Sequence, residues 1–565
     1  MTTYSVLETE EALLPSPVGR RRRGFWDYVP FAVAALVAVP VVVVLCHVFV
    51  PAGEVWTHLA ETVLGRYVTN TIWLFLGVGI GTAVIGVGTA WLCSMCRFPG
   101  RPVFEWALLL PLAVPTYAIG FTYAGLFEYA GPVQSLLRSA FDWGRGDYWF
   151  PEPRSLGGAI AVMTLVLYPY VYLLSRAAFL SQSVCVLEVS RTLGRSPFRS
   201  FLTVALPLAR PAIVGGVSLA LMEALSDFGT VHYYGVDTFT TGIYRTWFGF
   251  GEPAAAAQLA AMLMVFVLAL ILLERSSRGS RRFHHTSARY RQLPGYALTG
   301  VRKWLAVSAC LLPVLLGFLV PFGQLGAWTI ATADKMLDAS FFALAWNSVS
   351  LATITAVIAV CVALLVAYAL RLRGTVPMRA AARAAGLGYA VPGSVIAVGV
   401  LLPFAWLDNR VDALARDWLG VSTGLLLTGT ILALVFAYLV RFLAVSLNTV
   451  EASLGRVTPS MDGAARSLGA SPGRVLFRVH MPMVAGGLMT AGLLVFVDVM
   501  KELPATLIMR PFDFNTLAVK AYELASDERL ADSASAALAI VVVGIAPVVL
   551  LSRAITRSRP GGEGP

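Results

Sequence analysis

Long apolar stretches alternate with short polar segments from one end of the chain to the other. Each stretch holds about 20 residues, the length that an α-helix needs to cross about 30 Å of hydrocarbon. The pattern predicts twelve membrane-spanning helices, six in each half of the chain. In the first half they are predicted at 28–50, 71–95, 103–127, 157–179, 211–232 and 254–273. In the second half they are predicted at 304–330, 345–370, 385–406, 421–444, 484–506 and 534–553.

The composition supports this prediction. Of the 565 residues, 57% are hydrophobic and only 13% are charged, whereas about 25% of the residues of a soluble domain are charged. The mean hydropathy is +0.73. Such a chain cannot cover itself with polar surface, so lipid must be the solvent for much of it. We therefore expect an all-α polytopic membrane protein.

The basic residues are concentrated in alternate loops. If both termini lie in the cytoplasm, the cytoplasmic segments hold most of the 43 Lys and Arg residues, including Arg20 to Arg23, the Arg-rich stretch at 274–303 and Arg441. Cytoplasmic loops of membrane proteins carry such an excess, so this orientation is predicted. The net charge of +11 then reflects the excess of basic residues in the cytoplasmic loops. It indicates contact with the lipid bilayer rather than with nucleic acid.

Cysteine and histidine form no pattern typical of a metal site or a disulfide framework. Cys93 and Cys96 make a lone C-x-x-C at the end of a predicted helix, where small residues packing between helices are favoured over a metal site. The six histidines are scattered, apart from His284 and His285 in the Arg-rich stretch. We predict no metal site and no external disulfides.

The chain contains an internal repeat. LEVSRTLGRSPFRSFLTVALP covers 187–207, and MDGAARSLGASPGRVLFRVHMP covers 461–482. Both contain R-x-L-G-x-S-P and both end in proline, with a constant offset of 275 residues between Gly194 and Gly469. The repeat divides the chain into a first half at 1–273, a linker at 274–303 and a second half at 304–565. Two such halves imply a pseudo-twofold axis along the membrane normal, with a pathway between them.

Each copy of the repeat has the local features of two helices joined by a bend. Gly194 and Gly469 suit the left-handed position that ends a helix. Ser196-Pro197 and Ser471-Pro472 then suit an N-cap followed by proline at the first helical position. The segment lies between the fourth and fifth predicted spans of each half. Its occurrence twice, at the same place, favours a docking face over a simple loop that folds back on the bundle.

Both segments resemble the E-A-A-x3-G-x9-I-x-L-P signature of the permease subunits of ATP-binding-cassette (ABC) importers. In that family the segment is a coupling helix that seats in a groove of the ATPase subunit. The resemblance assigns this role to Glu188, Gly194, Leu206, Pro207, Asp462, Ala464, Ala465, Gly469 and Pro482. The second copy departs from the signature, because Gly463 stands in place of the glutamate, with Asp462 one residue earlier. The resemblance covers nearly the whole chain and implies the type I importer permease architecture in a bacterial cytoplasmic (inner) membrane.

The segment after the eleventh predicted span carries the clue to the substrate. VDVMKELPATLIMRPFDFNTLAVKAYELASDE, at 497–528, resembles the corresponding segment of fused permeases for ferric iron. The K-E-L-P-A-T and R-P-F-x-F-x-T-L-A runs are its most specific parts, and ALSDFGT at 224–230 fits the same group. Fused permeases for thiamine share the two-half architecture and are the alternative.

The sequence offers no means of hydrolysing ATP in the P-loop manner. A G-x-x-x-x-G-K-[ST] phosphate loop is absent from it, and none of the four lysines, Lys303, Lys335, Lys501 and Lys520, follows a glycine. The chain is therefore predicted to be a transport subunit rather than an enzyme, with no cofactor of its own. The resemblance implies two separate ATPase subunits that bind ATP with Mg²⁺, and an external solute-binding protein that delivers the cargo.

Four acidic residues are repeated at the same offset. Glu223 corresponds to Asp498, and Asp227 corresponds to Glu502. The spacing of four predicts both acids of each half on one helix face, and carboxylates within membrane spans are functional candidates by default. Facing each other across the pseudo-twofold axis, they could line a passage for a hard cation such as Fe³⁺. Alternatively they are structural, either at the watery outer ends of the spans or paired with Lys501 and Arg510.

Other classes of membrane protein account for less of the sequence. A secondary transporter would also show repeats and intramembrane acids, but it has no need of two docking segments. An ion channel would show a filter-like segment, and a membrane enzyme would show a nucleophile with its base. Neither pattern is evident in the sequence.

Overall fold

The computed structural model of the protein describes residues 24–51, 53–144, 146–181, 197–278 and 296–557. Eleven helical segments in these ranges are long and apolar enough to cross a membrane, and a pair of helices bent by 91° supplies a twelfth. The prediction of an all-α polytopic protein with about twelve spans is confirmed.

The helices before the linker follow the chain in this order: α1 (Phe25–Cys46), α2 (Gly53–Thr62), α3 (Leu64–Met95), α4 (Arg101–Ala107), α5 (Thr116–Phe127), α6 (Pro132–Phe141), α7 (Leu156–Ser181), α8 (Pro197–Ser200), α9 (Leu206–Ser226), α10 (Gly229–Tyr233), α11 (Phe239–Phe248) and α12 (Pro253–Arg278). A short strand, β1 (Cys96–Arg97), pairs in parallel with β2 (Tyr296–Ala297) and so joins the end of α3 to the last part of the linker.

The helices after the linker are α13 (Val301–Val314), α14 (Val320–Ala331), α15 (Ala333–Met336), α16 (Ala339–Leu372), α17 (Val376–Ala385), α18 (Gly393–Leu419), α19 (Ile431–Leu454), α20 (Pro459–Ser467), α21 (Pro472–Val475), α22 (Met481–Met500), α23 (Pro504–Met509), α24 (Leu517–Ser526) and α25 (Leu530–Arg557). Turns of 3₁₀-helix lie at His47–Phe49, Leu110–Ala113 and Gly386–Ala390.

Within the described ranges, three π-helical turns connect helices into longer rods. They lie at Phe201–Ala205, Leu315–Leu319 and Leu476–His480, and in each case a proline follows two residues after the turn. Proline has no N–H, and its ring clashes with the carbonyl four residues earlier. A π turn widens the helix at that point, which lets the rod continue past the proline instead of breaking. The first and third turns are 275 residues apart, so the deformation belongs to the repeat.

The third span of the first half is the bent one. A 3₁₀ turn ends at Ala113, Val114 and Pro115 are extended, and α5 begins at Thr116. The second half repeats this arrangement, with a 3₁₀ turn ending at Ala390 and α18 beginning at Gly393. Hydropathy alone does not register these interruptions, because the residues on both sides of each break are apolar.

The two halves interlock through their first spans. Helix α1 packs against α16, α17 and α18 of the second half. The rod of α13 and α14 in turn packs against α3, α4, α5 and α7 of the first half. Each half therefore contributes one helix to the outer surface of the other. The predicted boundaries of the halves at 273 and 304 describe the sequence repeat rather than two separate bodies.

The outer surface of the bundle is apolar. Large side chains such as Ile80, Val84 and Trp346 are more than half exposed. In water such a surface would drive aggregation, whereas in a bilayer it faces lipid tails. The exposed apolar side chains therefore mark the lipid-facing surface of the spans.

Candidate functional site

A cavity of about 80 Å³ lies between the two halves, and all four predicted pathway acids line it. Its walls come from α5, α7 and α9 of the first half and from α19, α22 and α23 of the second. Among the described residues that line it, the acids are joined by two cationic side chains, Arg441 and Lys501. The fold therefore places the four acids that the repeat relates around one cavity: Glu223, Asp227, Asp498 and Glu502.

The cavity forms where spans are interrupted. Helix α9 ends at Ser226, and Asp227 adopts an extended backbone before α10 begins at Gly229. Helix α22 likewise ends at Met500, with Lys501 to Leu503 leading into α23. The prediction that both acids of each half share one helix face is wrong. In each half the first acid lies on the helix and the second lies in the break that follows it.

Asp227 caps the short helix after the first break. Its Oδ1 accepts hydrogen bonds from the backbone N–H groups of Thr230 at 2.9 Å and Val231 at 3.2 Å. Its Oδ2 accepts from the hydroxyls of Thr230 at 2.9 Å and Thr116 at 2.5 Å. The carboxylate thus satisfies helix N–H groups that have no partner within the helix.

Glu502 performs the same task in the second half. Its Oε1 accepts from the backbone N–H of Ala505 at 2.9 Å, and its Oε2 accepts from the N–H of Thr506 at 3.0 Å and from the Thr506 hydroxyl at 2.6 Å. It also pairs with the Arg441 guanidinium at 3.1 Å, where both side chains are almost fully buried. A buried ion pair of this kind is stable only while both partners are present.

In each half, the first residue of the helix after the third-span break lies beside the capping carboxylate. In the first half, Thr116 at the start of α5 donates to Asp227. In the second half, Gly393 at the start of α18 has no side chain, and the Arg441–Glu502 pair occupies the space beside its Cα. The same junction is thus built with a hydroxyl in one half and with a guanidinium in the other.

Glu223 connects the two halves. It lies on α9, and its Oε1 accepts a hydrogen bond of 2.8 Å from the Tyr389 hydroxyl of the second half. The Arg441 Nη2 lies 3.9 Å from its Oε2. Its side chain remains 24% exposed, so the carboxylate still faces the cavity.

Asp498 has a partner three residues along the chain, directly after the end of its helix. Lys501 Nζ lies 2.9 Å from Asp498 Oδ1, and their side chains are 24% and 18% exposed respectively. The predicted pairing with Lys501 is therefore present for this acid. The predicted pairing with Arg510 is absent, because Arg510 Nη2 instead lies 2.7 Å from Glu523 Oε1.

The second copy of the repeat (461–482), which we call the second coupling segment after the role that the resemblance implies, has the predicted shape. Helix α20 ends at Ser467, Gly469 adopts a φ of +79°, and Pro472 begins α21. The Ser471 hydroxyl accepts the N–H of Arg474 as an N-cap. Helix α20, which contains Ala464 and Ala465, leaves Met461 and Leu468 exposed, and an exposed apolar side chain suits a docking face.

Asp462 anchors α20 to the membrane spans. It accepts hydrogen bonds from Arg371 Nε at 2.9 Å and pairs with His480 Nε2 at 2.5 Å. Arg371 also donates to the carbonyls of Leu454 and Val457. Burial opposes ionisation of Asp462, but the bonds from Arg371 and His480 outweigh it and lower the pKa of this carboxyl.

The first coupling segment is described only in part. Glu188 and Gly194 lie outside the described residues. Leu206 and Pro207 begin α9, directly after the π turn at Phe201–Ala205, and Pro482 holds the equivalent place at the start of α22. The proline that ends each copy of the signature thus lies two residues after a π turn.

Comparison with known proteins decides the family. No family model matches the chain. The Fe(3+)-transport system permease protein FbpB 2 of Haemophilus influenzae is 28% identical over 543 residues, which cover 94% of this chain and 99% of that protein. The sulfate transport system permease protein CysT of Escherichia coli is 30% identical over 210 residues, 36% of this chain and 73% of that protein.

This chain belongs to the family of ABC transporter permeases. A further member is the ferric transport system permease protein FbpB of Actinobacillus pleuropneumoniae. It is 23% identical over 477 residues, which cover 80% of this permease and 65% of the Actinobacillus protein. The relatives therefore include chains that match both halves and a chain, CysT, that matches about one third of this permease. This agrees with a permease whose two halves are fused into one chain.

Two residues that line the permease cavity, Arg441 and Thr116, were not predicted as part of the site, and neither was Tyr389, which donates to Glu223. Arg441 was counted among the basic residues of the cytoplasmic side, but it lies inside α19 and lines the cavity. Tyr389 lies in the 3₁₀ turn before the third-span break of the second half. Thr116 begins the helix after the third-span break of the first half. The presence of an arginine in an otherwise apolar span was the available signal, since such a residue is expensive unless it has a partner.

Proposed function

We propose that this permease is the membrane-spanning subunit of an ABC importer for ferric iron. The observation that carries the proposal is the cavity between the halves, in which four carboxylates meet two cationic side chains. Carboxylate oxygens are hard ligands, and a trivalent cation can cross a low-dielectric region only where compensating negative charge or water is present. Similarity to Fe(3+)-transport permeases over nearly the whole chain supports the same cargo.

The proposed partners follow from the family and from the coupling segments. Two ATPase subunits would bind ATP with Mg²⁺ and dock on the two coupling segments, and an external binding protein would deliver the cargo. Both termini would lie in the cytoplasm, on the side of α20 and α21. The exposed Leu468 beside Gly469 supplies an apolar contact for an ATPase groove.

Stoichiometry tests the fused arrangement. One copy of the chain should purify with two copies of the ATPase subunit, because one polypeptide carries both coupling segments. Native mass spectrometry of the detergent-solubilised complex measures the ratio. A complex with two copies of this chain would contradict the proposal.

Transport in proteoliposomes tests the cargo and the energy source. The complex should accumulate radioactive iron when a ferric-loaded binding protein is outside and ATP is on the ATPase side. Labelled thiamine with a thiamine-binding protein should not be accumulated. Uptake of thiamine would redirect the substrate, and iron uptake driven by an ion gradient without ATP would overturn the ABC mechanism for this chain.

A further inference from the structure

The four acids of the cavity fall into two structural classes. Asp227 and Glu502 each accept hydrogen bonds from two backbone N–H groups at the start of a helix. Both are buried, and Glu502 also neutralises Arg441. Their negative charge is already matched by groups that cannot leave. These two carboxylates therefore build the breaks in the spans and are poorly placed to bind a passing ion.

Glu223 and Asp498 form the other class. They are equivalent under the 275-residue offset, and each lies on a helix shortly before the break. Both side chains are about one fifth exposed and line the same cavity. These two carboxylates therefore enter one cavity from opposite halves of the chain.

An unsatisfied hydroxyl gives independent evidence for a ligand. Tyr117 lines the cavity and is only 3% exposed. Within the described part of the chain its Oη has no hydrogen-bond partner. A buried hydroxyl without a partner is costly, so this oxygen is expected to meet water or a bound group in the cavity.

Lys501 breaks the symmetry of the cavity. The equivalent position in the first half is Ser226, which carries no charge. The Lys501 ammonium lies 2.9 Å from Asp498 and faces the cavity that Glu223 also lines. Unlike Arg441, which is 7% exposed and fixed by Glu502, it is one quarter exposed on a flexible stem. Its charge can therefore move away from Asp498.

We propose that Glu223 and Asp498 bind the trivalent cation transiently, and that Lys501 is the built-in counter-ion that the cation displaces. The proposal rests on the proposed function and deepens it. Without cargo, the ammonium neutralises the cavity, because unpaired carboxylates in a span are costly. When a trivalent cation arrives, its stronger attraction displaces the ammonium from Asp498. The return of the ammonium then helps the cation to leave, so that the site does not become a trap. Tyr389 is a positioning residue that orients Glu223 through its hydrogen bond.

Binding of Tb³⁺ to the purified permease in lipid nanodiscs tests this site directly. Tb³⁺ is a hard trivalent cation whose luminescence is sensitised by nearby aromatic side chains, and the cavity contains Tyr117 and Tyr170. The double variant E223Q/D498N should bind Tb³⁺ at least about tenfold more weakly than the unmodified permease. The variant K501M should bind it at least about tenfold more tightly, whereas K501R should match the unmodified permease.

Matched controls separate this site from general charge effects. The exposed acids Glu54 and Asp417 and the half-buried Lys520 lie outside the cavity, so E54Q/D417N and K520M should leave Tb³⁺ affinity unchanged. Introducing K501M into E223Q/D498N should add no affinity, because the ligands are gone. Unchanged affinity in both K501M and E223Q/D498N would overturn the proposal. So would equal tightening by K501M and K520M.

Iron uptake distinguishes failure of this site from failure of the proposed function. In the assembled transporter, both E223Q/D498N and K501M should import iron at least about tenfold more slowly, the first through lost binding and the second through slow release. If the unmodified transporter imports no iron, the proposed function fails. If it imports iron and E223Q/D498N does so at the same rate, the proposed function stands and the site is wrong.

Discussion

At the scale of single residues, the four acids of the cavity differ in the contacts that hold them, although the repeat makes them equivalent in pairs. The repeat picked out Glu223, Asp227, Asp498 and Glu502, and all four line one cavity. Their roles depend on contacts with backbone and side-chain groups, and the spacing of the acids in the sequence does not predict these contacts. Asp227 and Glu502 are caps only because the backbone leaves the helix at Ser226 and Met500. Proposals about these acids therefore have to treat each carboxylate separately.

Gly393 is predicted to tolerate a side chain poorly, because an added Cβ would disturb a buried ion pair. A Cβ at this position would lie against Arg441 Nη1 and 2.7 Å from Glu502 Oε1. We expect Gly393→Ala to destabilise the protein by about 1–3 kcal/mol, the usual cost of overpacking a tight core site. Thermal unfolding in detergent measures the effect. Gly486→Ala in α22 is the control, because nothing lies within 4 Å of its added Cβ. Equal stability of the two variants would contradict the prediction.

The anchor at Asp462 predicts a dependence on pH. Its folded-state pKa lies below the ordinary value of 3.8, so the stabilisation is fully present above that value. It is lost as the pH falls through the lower folded pKa. The unmodified protein should therefore be more stable than Asp462→Asn at pH 6, and the difference should shrink below about pH 4. Unfolding of both proteins across this range checks the prediction. A difference independent of pH would show that the anchor is not ionic.

At the scale of elements, hydropathy predicted the number of spans but not their ends. The fifth and eleventh spans were predicted to reach 232 and 506, whereas their helices end at Ser226 and Met500. Asp227 follows the first end, and Lys501 and Glu502 follow the second, but apolar residues resume directly after them, so the average hydropathy changes little at the break. Proline and glycine positions indicated local changes of the backbone more closely than hydropathy did. Pro207 and Pro482 follow π turns, and Gly469 is left-handed as predicted.

Gly469 offers a test of the coupling segment. Its φ of +79° is strained for a residue with a branched Cβ but is tolerated by asparagine. Gly469→Val should abolish ATP-driven transport while ATP hydrolysis continues, because α20 loses its orientation and the spans still insert. Gly469→Asn should retain most transport. Uptake and hydrolysis measured on the same proteoliposomes compare the two. Equal transport by both variants would show that the bend is not required for coupling.

At the scale of the whole molecule, the sequence predicted two halves but not their interlocking. Helix α1 lies on the second half, and the rod of α13 and α14 lies on the first. Ion pairs also cross between the halves. Asp27 on α1 pairs with Arg373 after α16. At the opposite end of the spans, the two terminal nitrogens of the Arg154 guanidinium each donate to the Glu528 carboxylate at 2.7 Å. The exchange of helices could not be predicted, because a repeat shows which segments are equivalent and not which of them are in contact.

This exchange predicts that the permease assembles from two separate chains. Between helices in lipid the hydrophobic effect gives little attraction, so close packing of helix surfaces must hold the halves together. Residues 1–284 and 285–565, expressed together, should therefore co-purify through a tag on either one. A first half that starts at residue 51 lacks α1 and should recover several-fold less of the second half. If removal of α1 changes nothing, the cavity surfaces alone must join the halves. If the two intact halves fail to associate, the linker is required for assembly and the prediction is wrong.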